Sequence, residues 1–285
     1  MDRQTNGKAL TVGASIIWGT SFVAVSVGLE YSNPYALVFE RFFVAALAVL
    51  ALGIFSRTAR VWTELRRPEI WALSTVWGAG FLLQFAGQSI SGASASALLS
   101  NLFVVFVPVA AYFVLRERLT LASKVAVAVS VVGILLVLPS GLDFTGTTVG
   151  DLLLVGAALG NTSFIVLGKK YGVSSLASSF ALIVSIAVIT APLAVLAGGT
   201  SLGSLVSPAN WESVIWLGVP CTVLAVSMYT RGLSSIRASQ SATLLLMEII
   251  VGVALSVALL RDALSLTQVL GALTIFIAIL LSSKQ

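Results

Sequence analysis

The chain has 285 residues, 58% of them hydrophobic and 9% charged, against roughly 25% charged in an ordinary soluble domain. Such a composition cannot clothe a water-facing surface, and it excludes a soluble globular fold. The net charge of +5 is not gathered into a nucleic-acid patch, and with no histidine and one cysteine, Cys221, histidine metal sites, serine triads and internal disulfides are excluded as well.

The apolar pattern predicts ten helical spans, at 9–27, 34–55, 69–88, 94–115, 123–139, 148–168, 175–196, 211–231, 237–260 and 266–282. Each is long enough to cross ~30 Å of hydrocarbon at 1.5 Å per residue. The first follows Arg3 and Lys8, lacks a small-residue cleavage site after it, and reads as a retained span rather than a signal peptide. It carries Trp18 and, one turn later, Ser21. The second, "LVFERFFVA", holds Glu40 and Arg41 side by side in an apolar run. Adjacent helical residues point about 100° apart, so these two cannot neutralise each other and each needs its own partner. The third span carries Gln84 and Gln88, the fourth Asn101 between Ser94 and Pro108, and the sixth Gly156, Gly160, Asn161 and Ser163. Tyr229 lies in the eighth. Glu248 is twelfth of the 24 residues of the ninth, near the midplane.

Lysine and arginine mark one side. With the N-terminus inside, fourteen of the sixteen basic residues fall on the cytoplasmic face, Arg41 lies within a span, and Arg261 alone falls outside. An internal repeat accounts for that exception. At an offset of 145, Ile70-Trp71 meets Ile215-Trp216, Gly87 meets Gly232, "ASASALL" (93–99) meets "ASQSATL" (238–244), and "LRERLTL" (115–121) meets "LRDALSL" (260–266). Earlier in the halves "GTSF" (19–22) meets "NTSF" (161–164) at 142. Five spans per half force opposite topologies, so Arg116 and its counterpart Arg261 belong on opposite faces. The expected fold is an all-α integral membrane protein of ten transmembrane helices in two inverted five-helix repeats, 1–140 and 141–285, with both termini cytoplasmic. Inverted repeats are a mark of secondary transporters, whose solute sites lie at the repeat interface.

The stretches "IIWGTSFVAVSVGL", "FERFFVAALAVL", "SNLFVVFVPVAAYFVLRERLT" and "GVPCTVLAVSMYTRGLSSIRASQSATLLLMEIIVGVALSVALLRDALSLTQVLGALTIFIAILL" resemble the EamA family of the drug/metabolite transporter superfamily. The resemblance implies a ten-helix inner-membrane bundle and transport, usually export, of small metabolites or drugs. It also implies that an arginine in the second span recurs, which suggests a pairing role for Arg41. The family's Leu-Glu-Pro in the ninth span stands here as Met247-Glu248-Ile249, without the helix-bending proline, and Asp262 replaces a glutamate. Both departures weaken any mechanism that relies on a proline kink there.

An intramembrane charge costs roughly 2.5–3.5 kcal/mol on insertion scales and so marks a use or a partner. Glu248, on one face with Ser241, Gly252 and Ser256, is the candidate for proton coupling or for an ammonium of the solute; a protonated, hydrogen-bonded glutamate is the plain alternative. Glu40 and Arg41 are candidates for an ion pair across helices, structural or gating; solute contact and snorkelling of Arg41 are the other readings. Trp18, Ser21, Gln84, Gln88, Asn101, Asn161, Ser163 and Tyr229 are candidate solute-binding residues, weighed against ordinary interhelical hydrogen bonding. Gly156 and Gly160 read as close helix packing. No metal or other cofactor is expected.

The function expected is a secondary transporter that exports small amphipathic metabolites such as amino acids by alternating access, with protons as the candidate coupling ion. A multidrug exporter or a lipid or lipid-linked sugar flippase would use the same fold. An intramembrane enzyme is disfavoured, because no nucleophile or metal constellation stands out. The expected partners are a small-molecule solute, protons and membrane lipid, in a monomer or weak homodimer.

Overall fold

The computed structural model describes residues 3–55, 59–118, 120–137, 144–197, 208–260 and 266–283, all in helices and short connections with no strand among them. The helices are α1 (Arg3–Gly19), α2 (Ser21–Leu29), α3 (Pro34–Phe55), α4 (Ala59–Leu65), α5 (Pro68–Leu99), α6 (Phe103–Leu115) and α7 (Leu121–Val137). They continue as α8 (Phe144–Lys170), α9 (Leu176–Leu196), α10 (Pro208–Gly218), α11 (Ala225–Leu233), α12 (Ala238–Leu245), α13 (Met247–Leu260) and α14 (Leu266–Ser283). Seven described helical stretches are long and apolar enough to cross a membrane: Arg3–Leu29, Pro34–Leu52, Pro68–Ala93, Val149–Lys170, Leu176–Leu196, Asn210–Leu233 and Ala238–Leu255. Three shorter apolar helices accompany them, Ser100–Leu115, Lys124–Gly133 and Val269–Ala278. Arg261 and Asp262, which carry part of the repeat argument, lie outside the described residues, and so does the side chain of Ser256.

The surface is that of a protein solvated by lipid. Phe113 is 66% and Leu196 82% exposed, a distribution that water would penalise and hydrocarbon does not. Inside, hydroxyls that have no water to meet bond back along their own helices, as from Thr11 to the Gly7 carbonyl at 2.9 Å and from Thr190 to Ile186 at 2.8 Å.

Several helices are broken. Within α5, Gly92 takes φ 83°, a left-handed value that glycine adopts without a Cβ clash; it lies between the expected third and fourth spans. Residues 100–102 form a single 3₁₀ turn before α6. α1 and α2 part at Thr20, and α12 and α13 part at Leu246. Between α10 and α11 the chain runs in π form over Val219–Leu224, where Pro220 has no N–H to give to the regular ladder. The proline-free ninth span is therefore broken all the same: the Leu246 amide bonds to Thr243 O and the Ile249 amide to Leu246 O, both in 3₁₀ spacing. The short helix α4, ending in a Leu65 carbonyl that accepts from Trp71 Nε1 at 2.7 Å, lies between the second and third expected spans.

Packing brings α5 against α8, α1 against α11, α3 against α9 and α7 against α14. Glycines set the closest approaches. A Cβ on Gly160 would stand 2.7 Å from Gly80 Cα, so α8 and α5 cross backbone to backbone there. Gly156, one turn earlier, meets only the Leu83 Cδ1, which agrees with reading the pair as close packing. Contacts at the lysine- and arginine-rich ends of the helices bind them together: Arg67 donates to Tyr171 O at 2.7 Å, and Lys169 reaches Leu233 O and Ile236 O. That side is called the basic end below.

Candidate functional site

A cavity lies among α1, α2, α3, α5, α6, α8, α12 and α13, the between-helix position at which bundles commonly hold small molecules. Two charged side chains face it, Arg41 from α3 and Glu248 from α13.

Arg41 is 2% exposed and tightly held. Its Nε donates to Thr222 Oγ1 at 2.8 Å and its Nη2 to the Cys221 carbonyl at 3.3 Å, both on the π segment. The Phe81 ring lies 4.6 Å from the guanidinium carbon, so the cation is flanked by an aromatic face as well as by dipoles. Thr222 in turn donates to Leu217 O at 2.7 Å, which orients its oxygen towards Arg41. The same Cys221 carbonyl accepts from Trp18 Nε1 at 2.7 Å. One irregular backbone segment thus holds both a cavity aromatic and the cavity cation.

Glu248 is the second residue of α13, immediately past the break at Leu246. A helix N-terminus carries partial positive charge, which favours a carboxylate in the first turn. Among the described residues its carboxylate has no hydrogen bond and no ion pair, Arg41 included. The break is stabilised from α1: Ser15 Oγ donates to Leu245 O at 2.6 Å, and Gly19 lies so close that a Cβ there would stand 2.8 Å from Glu248 O. Ser15 was not singled out from sequence, since one serine among many on an apolar helix gives no signal of a contact 230 positions away.

Aromatic side chains form much of the remaining wall. Trp77 and Phe164, from the two helices that cross at Gly80 and Gly160, stack with ring centroids 3.6 Å apart and planes within 2°. Trp77 Nε1 donates to Asn161 Oδ1 at 3.3 Å. Phe81 and Phe103 complete the aromatic lining, and Ile165 and Leu245 contribute aliphatic surface. None of these six apolar residues was distinguishable in sequence from ordinary span residues.

Of the residues read as candidates from sequence, Trp18, Ser21, Gln84, Asn161, Arg41 and Glu248 share this cavity. The other five stand elsewhere. Tyr229 is a layer behind, its ring 5.3 Å from Trp18 and 5.5 Å from Phe164 and its hydroxyl 2.8 Å from Ser241 Oγ. Gln88 bridges α5 to α2, donating to Phe22 O at 3.0 Å and Ser26 Oγ at 3.1 Å. Asn101 donates to Ala97 O at 2.7 Å, and Ser163 to Leu159 O at 2.9 Å, each along its own helix. Glu40 faces away from Arg41 towards α10: Ser32 Oγ donates to both its oxygens, at 3.2 and 3.0 Å, and Asn210 Nδ2 donates to Oε2 at 3.1 Å. The two neighbours are not paired with each other; each joins α3 to a different stretch of residues 208–224.

Comparison with known proteins bears on what such a cavity serves. The model of the EamA-like transporter family matches this chain twice, over residues 5–138 and 148–284. Two Archaeoglobus fulgidus proteins, each named an uncharacterized transporter, are similar: one is 24% identical over 94% of this chain and 83% of its own, the other 25% identical over 92% of both. The uncharacterized transporter YdfC of Bacillus subtilis is 22% identical over 54% of this chain and 51% of its own. A solved crystal structure shares the fold, with a TM-score of 0.80 at 17% identity over 97% of this chain and 96% of that one.

Proposed function

The chain belongs to the EamA-like transporter family, and from that premise we propose that it is a ten-span secondary transporter exporting small amphipathic solutes, amino acids among them, by alternating access. The observation that carries the reading is the cavity itself, with a held cation, Arg41, and a carboxylate, Glu248, that has no hydrogen bond among the described residues, all among aromatic faces. Opposite charges over apolar walls suit a solute with both polar and apolar parts, and an acid inside a membrane bundle is a functional candidate.

Two inverted repeats, 1–140 and 141–285, supply the rocking elements. The packing supports this pairing. α3 and α7 each pack on their own repeat counterparts, α9 and α14, as elements near a two-fold axis do. A Cβ on Gly87 would stand 2.8 Å from Gly150 O, and a Cβ on its counterpart Gly232 would stand 2.8 Å from Gly7 O. The basic end faces the cytoplasm, with both termini there, in the cell's plasma or inner membrane. Helix breaks at Thr20, at 100–102, at Leu246 and in the π segment suit a bundle whose cavity walls must bend, since irregular backbone at membrane depth is tolerated where it is buried or lines a cavity.

Glu248 is the proposed proton-coupling group, and Trp18, Ser21, Gln84 and Asn161 join it in holding solute. Tyr229, Gln88, Asn101 and Ser163 support the walls from behind or along the helices. Glu40 and Arg41 govern how α3 moves against α10 and the π segment. The test is transport into proteoliposomes with an imposed pH gradient, after a thermal-shift screen has found a solute. The Glu248→Gln protein is expected to exchange solute across the membrane but not to concentrate it. Accumulation by that variant as great as by the parent would refute proton coupling through Glu248. Broad competition by unrelated organic cations would favour a multidrug exporter on the same aromatic cavity.

A further inference from the structure

At the basic end, a carboxylate and an ammonium clamp the two sides of one short connection. Glu117, just past α6, accepts from the Ala238 amide at 2.9 Å, from the Ser239 amide at 3.4 Å and from Ser239 Oγ at 3.2 Å. It therefore caps the N-terminus of α12 with the sign of charge that the helix dipole favours. Lys169, near the end of α8, donates to the carbonyls of Leu233 and Ile236, at and just past the C-terminus of α11, again with the favoured sign. The two side chains meet at 3.9 Å, and they are only 11% and 26% exposed.

Their place relative to the cavity is as informative as their chemistry. Ile165 on α8 and Leu245 on α12 line the cavity. Lys169 is one turn beyond Ile165, roughly 6 Å, and Ala238 is seven residues, roughly 10 Å, before Leu245. Three cavity-lining helices, α6, α8 and α12, thus converge on this cluster at their basic ends. α12 then runs on to the break that presents Glu248.

We propose that Glu117 and Lys169 form a latch that shuts the cavity at its basic end, and that solute reaches that face only after Glu117 lets go of α12. The proposal rests on the alternating-access reading above. The repeat makes the latch one-sided. In the alignment at offset 142 the position of Lys169 is held by Val27, so the repeat-equivalent position carries no ammonium. The latch biases the unloaded protein towards a state closed at the basic end.

The test uses a protein with Cys221→Ala, which removes its one native thiol, and Ser21→Cys as a near-isosteric reporter in the cavity. A membrane-impermeant maleimide is applied to either face of sealed vesicles. Glu117→Gln and Lys169→Met are each expected to raise labelling from the basic face about tenfold, the population shift that loss of one charge-assisted hydrogen bond produces. Labelling from the other face should fall, and Lys169→Arg should label like the parent. Ser239→Ala, a milder change, should give a smaller rise, and it serves if the charge variants do not fold. Unchanged labelling from the basic face in folded Glu117→Gln and Lys169→Met overturns the latch. Solute counterflow by the parent is measured separately: its absence would sink the transport reading, while the labelling still decides the latch.

Discussion

Gly80 and Gly160 meet across the α5–α8 crossing, so closely that a Cβ on Gly160 would lie 2.7 Å from Gly80 Cα. The neighbour is backbone and has nowhere to rotate. Gly160→Ala should therefore lower stability by about 1–3 kcal/mol, the usual cost of overpacking, and should disturb the Trp77–Phe164 stack beside it. Gly156→Ala meets only the end of Leu83, which has room to turn. A thermal melt in detergent should separate the two, with Gly160→Ala melting clearly lower; equal melting temperatures would show that the crossing relaxes freely.

Arg41→Lys tests whether position or charge matters at the cavity cation. Lysine keeps the charge but has no planar fork to span Thr222 Oγ1 and Cys221 O while lying against Phe81. Losing one charge-assisted hydrogen bond to the π segment costs about 1.5–3 kcal/mol of stability, and the displaced cation should raise the solute concentration needed for half-saturation. Fitted initial rates over a range of solute concentration would read this; an unchanged half-saturation concentration would place Arg41 outside solute recognition.

Glu40 lies away from the cavity and tends the seam between α3 and α10. Glu40→Ala removes an acceptor shared by the buried donors of Ser32 and Asn210. Stability should drop by about 1–3 kcal/mol, the cost of stranding buried polar groups, with solute affinity unchanged. Thermal melts and solute titrations of one preparation would check both halves of that statement. A loss of affinity without a loss of stability would move Glu40 into the binding role.

Ser15 supports the broken ninth span. In Ser15→Ala the Leu245 carbonyl loses its side-chain donor beside the start of α13. Interhelical hydrogen bonds of this kind average about 0.6 kcal/mol and reach about 2, so a modest fall in melting temperature is expected. A larger effect on transport than on melting would show that the break, rather than the bond alone, is what function uses; Ser15→Thr, which restores the donor, should recover both.

Much of the fold was legible because lipid imposes a simple rule on sequence. Every backbone group must be bonded within the bundle, so long apolar runs become helices, as at Pro34–Phe55 and Leu176–Leu196. Three of the ten expected spans, the fourth, fifth and tenth, appear as shorter apolar helices in the described residues. The π segment left only a proline as a hint, and the break at Leu246 not even that, because a break between apolar residues is decided by what satisfies the freed groups. At Leu246 that partner, Ser15, lies on another helix.

The candidate site divides along the same line. Composition and spacing by themselves determined that this is a membrane bundle, and they exposed Arg41 and Glu248, because a charge in hydrocarbon is conspicuous wherever it points. Tertiary structure alone decided which polar residues share a cavity. It brought in Asn161 and Gln84, set Asn101 and Ser163 back along their own helices, and turned Glu40 away from Arg41. It also built the aromatic wall from residues that read as ordinary span. The reason is geometric: hydropathy measures what a side chain avoids, and lipid and a packed apolar wall are avoided or accepted alike. Only the rotation of each helix about its own axis tells one from the other, and that rotation is set by contacts such as Gly80 on Gly160, which join positions far apart in the chain.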